Sequence, residues 1–200
     1  GAVRARNTGA LYASGDIIAF TDDDCRPEPE WLQNGLRHFD SDKIVGVEGM
    51  IYSDHIDDPN FRPVTNVGFE GFGFMTANLL IRHKAFKLAG GFDLNFDLPH
   101  FREDTDLGWR LLDHGEFPYC NDVRVFHPAQ ERINFRESEE QRALFFEKDA
   151  LLFQKHPEKY LELFFAEGHW SRDNGFWENL ARGAEKYNVD ISSLAQYKHR

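Results

Sequence analysis

The sequence predicts an α/β fold, in which helices alternate with short strands. One observation is size, because the 200 residues include 19 Phe and 4 Trp, enough large apolar side chains for the core of one domain. A second is the apolar run of residues 17–21, which is typical of a strand buried on both faces of a parallel sheet. The third is helical spacing of apolar residues before this run, at 1–14, and after it, at 30–39. The order helix, strand, turn, helix indicates an α/β protein.

The secondary structure of the first half of the chain is predicted from apolar periodicity and from turn-forming residues. Residues 44–51 predict a second strand, and the polar residues 53–64 predict a loop rich in turn formers. The helix at residues 30–39 is expected to pack on the sheet through one apolar face. The side chains of that face are Trp31, Leu32, Leu36 and Phe39.

The second half of the chain contains a strand, a short helix, an acidic helix, a last strand and a helical C-terminal region. Pro157 divides the long helical pattern in two, because an interior proline removes a hydrogen bond and clashes with the preceding turn. The predicted ranges are 74–81 and 123–126 for the strands, and 84–89, 103–115, 137–168 and 175–187 for the helices.

The charge balance excludes several classes of protein. The chain has 23 Lys plus Arg against 34 Asp plus Glu, a formal net charge of −11. We therefore expect no nucleic-acid partner, because such binding needs a basic face that neutralises phosphates. No apolar run reaches the ~18–20 residues that cross a bilayer, and the first residues lack the apolar segment of a signal peptide. The sequence predicts a cytoplasmic protein with no transmembrane segment, with attachment to the membrane periphery as an alternative.

The two cysteines, Cys25 and Cys120, form no CxxC pair and show no metal-ligand spacing. We interpret them as free buried thiols in a reducing compartment, with a single disulfide as the alternative.

Three consecutive acids, Asp22, Asp23 and Asp24, directly follow the first predicted strand. Ligands of open α/β sheets bind where strand ends meet loops. Like charges ~4 Å apart repel by about 1 kcal/mol in water and by about 4 kcal/mol at an effective dielectric of 20, so such a cluster favours a bound cation. Oxygen ligands select Mg²⁺ or Mn²⁺. A solvated turn that caps the next helix is the alternative.

A second acidic group opens the predicted helix at residue 103. Acids in a first helical turn are common because the helix dipole favours them, but the ionised Asp104 carboxylate beside a hydroxyl can act as a general base. Asp106 and Arg110 lie four residues apart and predict an ordinary surface ion pair. His127 follows the last predicted strand, where it can be a metal ligand or a hydrogen-bonded structural residue.

Two blocks of sequence together resemble family 2 glycosyltransferases. The first comprises residues 5–9, 15–24 and 31–32, and the second comprises residues 90–93, 103–107, Arg110 and Gly115. The blocks occur in the family's order, and the resemblance covers residues 4–128. It implies a GT-A fold, a Rossmann-like α/β domain that binds a nucleotide sugar.

The resemblance also implies an inverting transfer of a sugar from a nucleotide-diphosphate sugar to an acceptor hydroxyl. Mn²⁺ or Mg²⁺ would be held by Asp22, Asp24 and His127, and Asp104, paired with Glu103, would be the catalytic base. The residues implied to contact substrate are Arg6, Asp22, Asp23 and Asn78. The implied acceptor is a saccharide or a lipid-linked molecule, as in polysaccharide or glycoconjugate synthesis.

The sequence departs from the family pattern at its start, because it begins after the strand-helix-strand unit that cradles the nucleotide base. We therefore expect an N-terminally incomplete GT-A core at residues 1–130, a helical extension at 131–200, and an exposed sheet edge open to self-association. A catalytically inactive nucleotide- or sugar-binding fragment is one alternative. A phosphatase of the haloacid-dehalogenase type is another, with Asp22 as nucleophile and Asp24 as acid, but it leaves the second block unexplained.

Overall fold

The computed structural model describes residues 1–132, 139–163 and 175–198. These residues form a mixed α/β domain, as predicted. The helices are α1 (Ala2–Tyr12), α2 (Trp31–Arg37), α3 (His83–Leu88), α4 (Glu103–Leu112), α5 (Glu139–Lys155), α6 (Pro157–Leu163) and α7 (Phe176–Tyr187). The strands are β1 (Ile17–Phe20), β2 (Arg26–Pro27), β3 (Gly46–Tyr52), β4 (Phe61–Arg62), β5 (Leu79–Arg82), β6 (Tyr119–Phe126) and β7 (Gln130–Glu131).

Five strands form one sheet in the order β1-β5-β3-β6-β2. Its one parallel pair among the described residues is β3 with β6; the pairs β1–β5, β5–β3 and β6–β2 are antiparallel. The predicted parallel strand at 17–21 is therefore wrong in its pairing. Within the described sheet β1 is an edge strand with one face against the core: Ile18 and Phe20 are buried while Ala19, on the other face, is exposed.

Two other predicted elements differ in extent. The strand predicted at 74–81 is confined to β5, because Phe74 adopts a left-handed φ of 50° and residues Thr76–Asn78 form a 3-10 turn. The predicted loop at 53–64 contains β4, which pairs with β7 in a separate two-stranded sheet. A pairing that joins segments about 70 residues apart has no local sequence signal.

Helix α2 packs on the sheet through part of the predicted face, since Trp31 is buried and Phe39 packs against the same apolar cluster. Trp31 and Gly35 are buried, whereas Leu32 and Leu36 are half exposed. The reason is close approach: a β-carbon at Gly35 would overlap the Leu80 side chain. The apolar pattern identifies large side chains, but it cannot identify a helix–sheet contact that depends on the absence of a side chain at Gly35.

The C-terminal helices pack against the α/β core in the described part of the chain. The larger apolar cluster contains Val3, Phe96 and Trp109 together with Phe146, Tyr160 and Leu180 of α5, α6 and α7. Pro157 begins α6, which confirms the predicted break, while residues 137–138 and 164–168 of the predicted helices lie outside the described residues.

Asp106 was predicted in a surface pair and is instead fully buried. Its carboxylate lies 2.6 Å from Arg110 Nη2, 2.7 Å from Lys155 Nζ and 2.9 Å from His156 Nε2. Burial raises the pKa of Asp106, but hydrogen bonds from His156, Arg110 and Lys155 outweigh it and hold that pKa at about 2. The predicted ion pair between Asp106 and Arg110 exists, but it is covered by α5 and does not lie at the surface.

Candidate active site

The acidic turn after β1 lies beside His127 because of a short strand pairing. Arg26 and Pro27 of β2 pair with Phe126 and Val125 of β6, which brings the end of the turn to the residue after β6. The backbone of His127 is held at the end of β3, where its amide donates to Tyr52 O (2.9 Å) and its carbonyl accepts from Ser53 Oγ (2.7 Å). The imidazole is therefore fixed beside the acids.

The donor atoms of Asp22, Asp24, Cys25 and His127 all lie within 4.8 Å of one another. His127 is buried and its Nε2 is 3.6 Å from Asp24 Oδ1, while Asp22 is half-buried and Asp24 exposed. Two carboxylates and an imidazole suit a divalent cation such as Mn²⁺, so the residues present fit the predicted metal. The structure thus brings together Asp22, Asp24 and His127 as the sequence predicts.

Cys25 also belongs to this group, which the sequence analysis did not foresee. The sequence feature that could have identified Cys25 is its position directly after the acidic turn. Both cysteines are free thiols, as predicted, but Cys25 is only half-buried. Burial and the charges of Asp22 and Asp24 raise its pKa to about 11, so the sulfur is protonated at neutral pH. Asp23 is exposed at the outer side of the same turn.

Arg6 of α1 connects the acidic turn to the second acidic group. Its Nη1 donates to Glu103 Oε1 at 2.6 Å and its Nη2 lies 3.4 Å from Asp22 Oδ1. Arg6 was expected to contact the nucleotide, and in the structure it lies between the two groups of carboxylates. It is positioned by Asn7, whose side chain exchanges two hydrogen bonds with the backbone of Phe92 at 2.8 and 2.9 Å.

Glu103 and Asp104 form the first turn of α4, where the chain folds from a left-handed Arg102 (φ 70°) into the helix. Glu103 is buried and Asp104 is partly exposed. Burial and the charge of the Glu103 carboxylate raise the pKa of Asp104 to about 7. The expectation that the helix N-terminus keeps Asp104 ionised is therefore outweighed, and a carboxyl with this pKa suits a base that works near neutral pH.

Asn78 was predicted to bind substrate, and the structure places it in the interior instead. The residue has no exposed surface. Its Oδ1 accepts from Trp31 Nε1 at 2.8 Å, and its Nδ2 donates to the carbonyls of Met50 (2.9 Å) and Val123 (2.8 Å). All its polar atoms hold α2 and three strands together, so it is a structural residue.

Glu48 is a buried acid that sequence reasoning missed. It has no exposed surface and accepts hydrogen bonds from the Gly71 amide (2.8 Å) and from Asn66 Nδ2 (3.3 Å). Burial raises its pKa to about 7, although these hydrogen bonds lower it, and the charge of Asp104 adds to the rise. The sequence feature that could have identified Glu48 is an acidic residue within an otherwise apolar strand. Glu48 anchors residues 66–74, whose Gly73 carbonyl accepts from Thr105 Oγ1 beside Asp104.

A mixed α/β sheet, an acidic turn with a nearby histidine, and an acidic pair at a helix start are together the features expected of a GT-A domain. A sequence model of the family described as "Glycosyl transferase family 2" matches residues 1–102. The chain belongs to this family, which disfavours the phosphatase alternative.

Named relatives and a solved structure agree with this assignment. A pre-mycofactocin glycosyltransferase of Mycobacterium tuberculosis (strain CDC 1551 / Oshkosh) is 28% identical over 188 residues, covering 84% of this chain and 38% of the relative. Glycosyltransferase AglE of Haloferax volcanii is 27% identical over 147 residues, covering 65% of this chain and 45% of the relative. The chain thus spans less than half the length of these relatives.

The solved mannosyltransferase PcManGT from Pyrobaculum calidifontis, in complex with GDP-Man and Mn²⁺, superposes with a TM-score of 0.51. The match covers 98% of this chain and 57% of that one at 13% sequence identity, a level that supports the fold. Among the described residues, no helix is both long and apolar enough to cross a membrane.

Proposed function

We propose that the protein transfers a sugar from a nucleotide-diphosphate sugar to an acceptor hydroxyl, with inversion at the anomeric carbon. The observation that carries this proposal is the convergence of Asp22, Asp24 and His127 on one side of Arg6, with Glu103 and Asp104 on the other. One group can hold the leaving diphosphate through a cation, and the other can accept a proton.

Asp22, Asp24 and His127 would hold Mn²⁺ or Mg²⁺. A bound divalent cation neutralises the charge that develops on the diphosphate leaving group. Arg6 supports the same step, since its guanidinium lies 3.4 Å from Asp22 and can also donate to a diphosphate oxygen. We propose that the exposed Asp23 contacts the donor from the outer side of the turn.

Asp104 would act as the base. The acceptor oxygen attacks the anomeric carbon, its proton passes to an Asp104 carboxylate oxygen, and the bond between carbon and diphosphate oxygen breaks with its electron pair on the diphosphate. A single displacement of this kind inverts the anomeric centre and needs one base, unlike the two carboxylates of a glycosidase. Glu103 positions the site by binding Arg6.

The acceptor that we propose is a saccharide or a lipid-linked molecule. The segment anchored by Glu48 and the loop before it expose three apolar side chains, Ile56, Val67 and Phe69. This segment reaches Asp104 through the hydrogen bond between Thr105 and Gly73. Exposed apolar side chains on a segment that is hydrogen-bonded to the helix of the base suit an acceptor with an apolar part.

The variant Asp104→Asn tests the assignment of the base. We expect transfer to fall by roughly 10²–10⁴-fold, because an amide cannot accept the proton, while Mn²⁺-dependent binding of the nucleoside diphosphate persists. In the wild type, kcat/KM should rise with pH and level off above about 7, because the ionised form is the active one. The measurement is transfer rate against pH, with the exposed Asp113→Asn as control. Loss of nucleotide binding in Asp104→Asn would show that Asp104 is structural or a metal ligand.

A further inference from the structure

A second group of metal-ligand side chains lies away from the active site, at the C-terminal end of α2. His38 directly follows α2, and Cys120 and Asp122 belong to β6. The donor atoms of the three residues all lie within 4.8 Å of one another, and His38 Nε2 is 2.7 Å from Asp122 Oδ1. Cys120 is opposite Gly49 and Phe126 is opposite Tyr52, so Cys120 and His127 are separated by about four residues of β3, roughly 13 Å.

The fold brings these residues together by packing α2 on an irregular part of β6. The register of β3 against β6 shifts at this point, since Gly49 is opposite Cys120 while Met50 is opposite Arg124. The extra residues form a bulge that carries Asp122 towards α2. Asn34 of α2 fixes the bulge, because its Nδ2 donates to the Asp122 carbonyl at 2.6 Å. Two ligands thus come from one strand, and the third comes from the residue that directly follows the helix packed on it.

We propose that His38, Cys120 and Asp122 bind one zinc ion. Imidazole nitrogen, thiolate sulfur and carboxylate oxygen are the three donor types that proteins use for Zn²⁺, with water in a fourth position. A thiolate selects zinc over Mg²⁺ and Mn²⁺, which take oxygen-rich sites such as that of Asp22 and Asp24. The site binds a different metal from the catalytic one and joins α2 to β6.

The observed geometry is compatible with a tetrahedral ion. Bonds of about 2.0–2.3 Å place ligand atoms about 3.3–3.8 Å apart, between the 2.7 Å of the His38–Asp122 contact and the 4.8 Å limit of the group. The side chains of His38 and Asp122 are 34% and 51% exposed, so both can rotate by this amount and the fourth position faces solvent. Cys120 is buried and fixed by the apolar cluster beneath α2.

Binding releases one proton, from the Cys120 thiol to solvent, as the sulfur–metal bond forms. Burial and the charge of Asp122 raise the pKa of this thiol to about 11, so the thiol is protonated when no cation is present. Zinc reverses this preference because a bound dication stabilises the thiolate. Affinity should therefore increase with pH.

Cobalt titration tests the site directly, since Co²⁺ bound to a thiolate gives a near-ultraviolet charge-transfer band. The background variant is Cys25→Ser, which removes the other thiol that lies in a ligand group. We expect one equivalent of Co²⁺ to produce the band, excess Zn²⁺ to bleach it, and Zn²⁺ to raise the Tm. The further change Cys120→Ser should abolish the band, and Asp40→Asn, at a nearby exposed acid, should leave it intact.

His38→Gln provides a second variant in case the buried Cys120→Ser lowers stability too far. It changes a half-exposed side chain, and it should weaken Co²⁺ binding at least 10-fold with unchanged circular dichroism. The proposal is overturned if Cys25→Ser shows no band, if the band survives Cys120→Ser, or if His38→Gln binds Co²⁺ as tightly as its parent. None of these outcomes depends on sugar transfer, so the test stands apart from the proposed function.

Discussion

Arg6 is the residue on which the two acidic groups of the active site depend. It pairs with the buried Glu103 at 2.6 Å and approaches Asp22 at 3.4 Å. Removing one partner of a buried ion pair costs more than the pair contributes, because the remaining charge is left without compensation. Burial already raises the pKa of Glu103 even though Arg6 lowers it. Arg6 therefore has a structural role in addition to its proposed contact with diphosphate.

The variant Arg6→Ala should lose about 2 kcal/mol of unfolding free energy, because Glu103 loses a charge-assisted hydrogen bond. Arg4→Ala, an exposed position on the same helix, should change stability by less than about 0.5 kcal/mol. Urea unfolding of both variants measures the difference. Equal stabilities would mean that Glu103 finds another partner or is protonated.

At the scale of elements, a buried acid helps to hold the segment between β3 and β5. Glu48 accepts from Gly71 and Asn66, and Asn66 also bonds to the backbone of β3 at Ile51 and Gly49. A carboxylate with no exposed surface is costly to ionise, and these hydrogen bonds offset only part of that cost. The stability of this element should therefore depend on pH.

The pH dependence has a defined sign. The folded pKa of Glu48 is raised from 4.5 to about 7, so the folded state holds a proton that the unfolded state releases, and stability is lost as pH rises from about 4.5 to 7. Glu48→Gln removes this titration. Between pH 5 and 8 the wild type should lose about 2 kcal/mol more than the variant, as measured by urea unfolding. If the unfolding free energies of the wild type and Glu48→Gln changed equally with pH, the raised pKa of Glu48 would be contradicted.

The sequence predicted the local elements and the acids of the site, but not the contacts between distant segments. The apolar run of β1, the acidic turn and the first turn of α4 carry their own signals. The antiparallel pairing of β1, the burial of Asn78 and the β2–β6 pairing that places His127 depend on tertiary contacts. Asn78 shows the limit most clearly, since a polar residue near the predicted site forms three interior hydrogen bonds.

At the scale of the whole molecule, helix α5 is fastened to the α/β core through buried charges. Lys155 and His156 lie at its C-terminal end and both contact Asp106 of α4, and Lys155 also lies 2.7 Å from Asp93. One apolar cluster extends from α1 to α7. The division into parts at residue 130 and self-association through an exposed sheet edge both stay predictions, and this packing suggests that the two parts fold together.

The variant Asp106→Asn should lower stability by about 3–5 kcal/mol, because it leaves Arg110 and Lys155 without their buried carboxylate. Hydrogen exchange should accelerate most in α5 and α4. The control is Asp113→Asn, whose partner Lys159 is 3.4 Å away at an exposed position and whose change should cost less than about 1 kcal/mol. Unchanged exchange in α5 would show that the apolar contacts alone hold the helix.

The central claim is that Asp22, Asp24 and His127 hold a cation that binds the donor diphosphate. Thermal unfolding in the presence of UDP, GDP or dTDP, with and without Mn²⁺, tests it most directly. At least one of these nucleotides should raise the Tm by about 5–10 °C at a concentration ~100-fold above its Kd, only when Mn²⁺ is present. Asp24→Asn should lose this shift, while Asp16→Asn, an exposed acid before β1, should keep it. A Tm that no nucleotide changes, or a shift that Asp24→Asn retains, would contradict the claim.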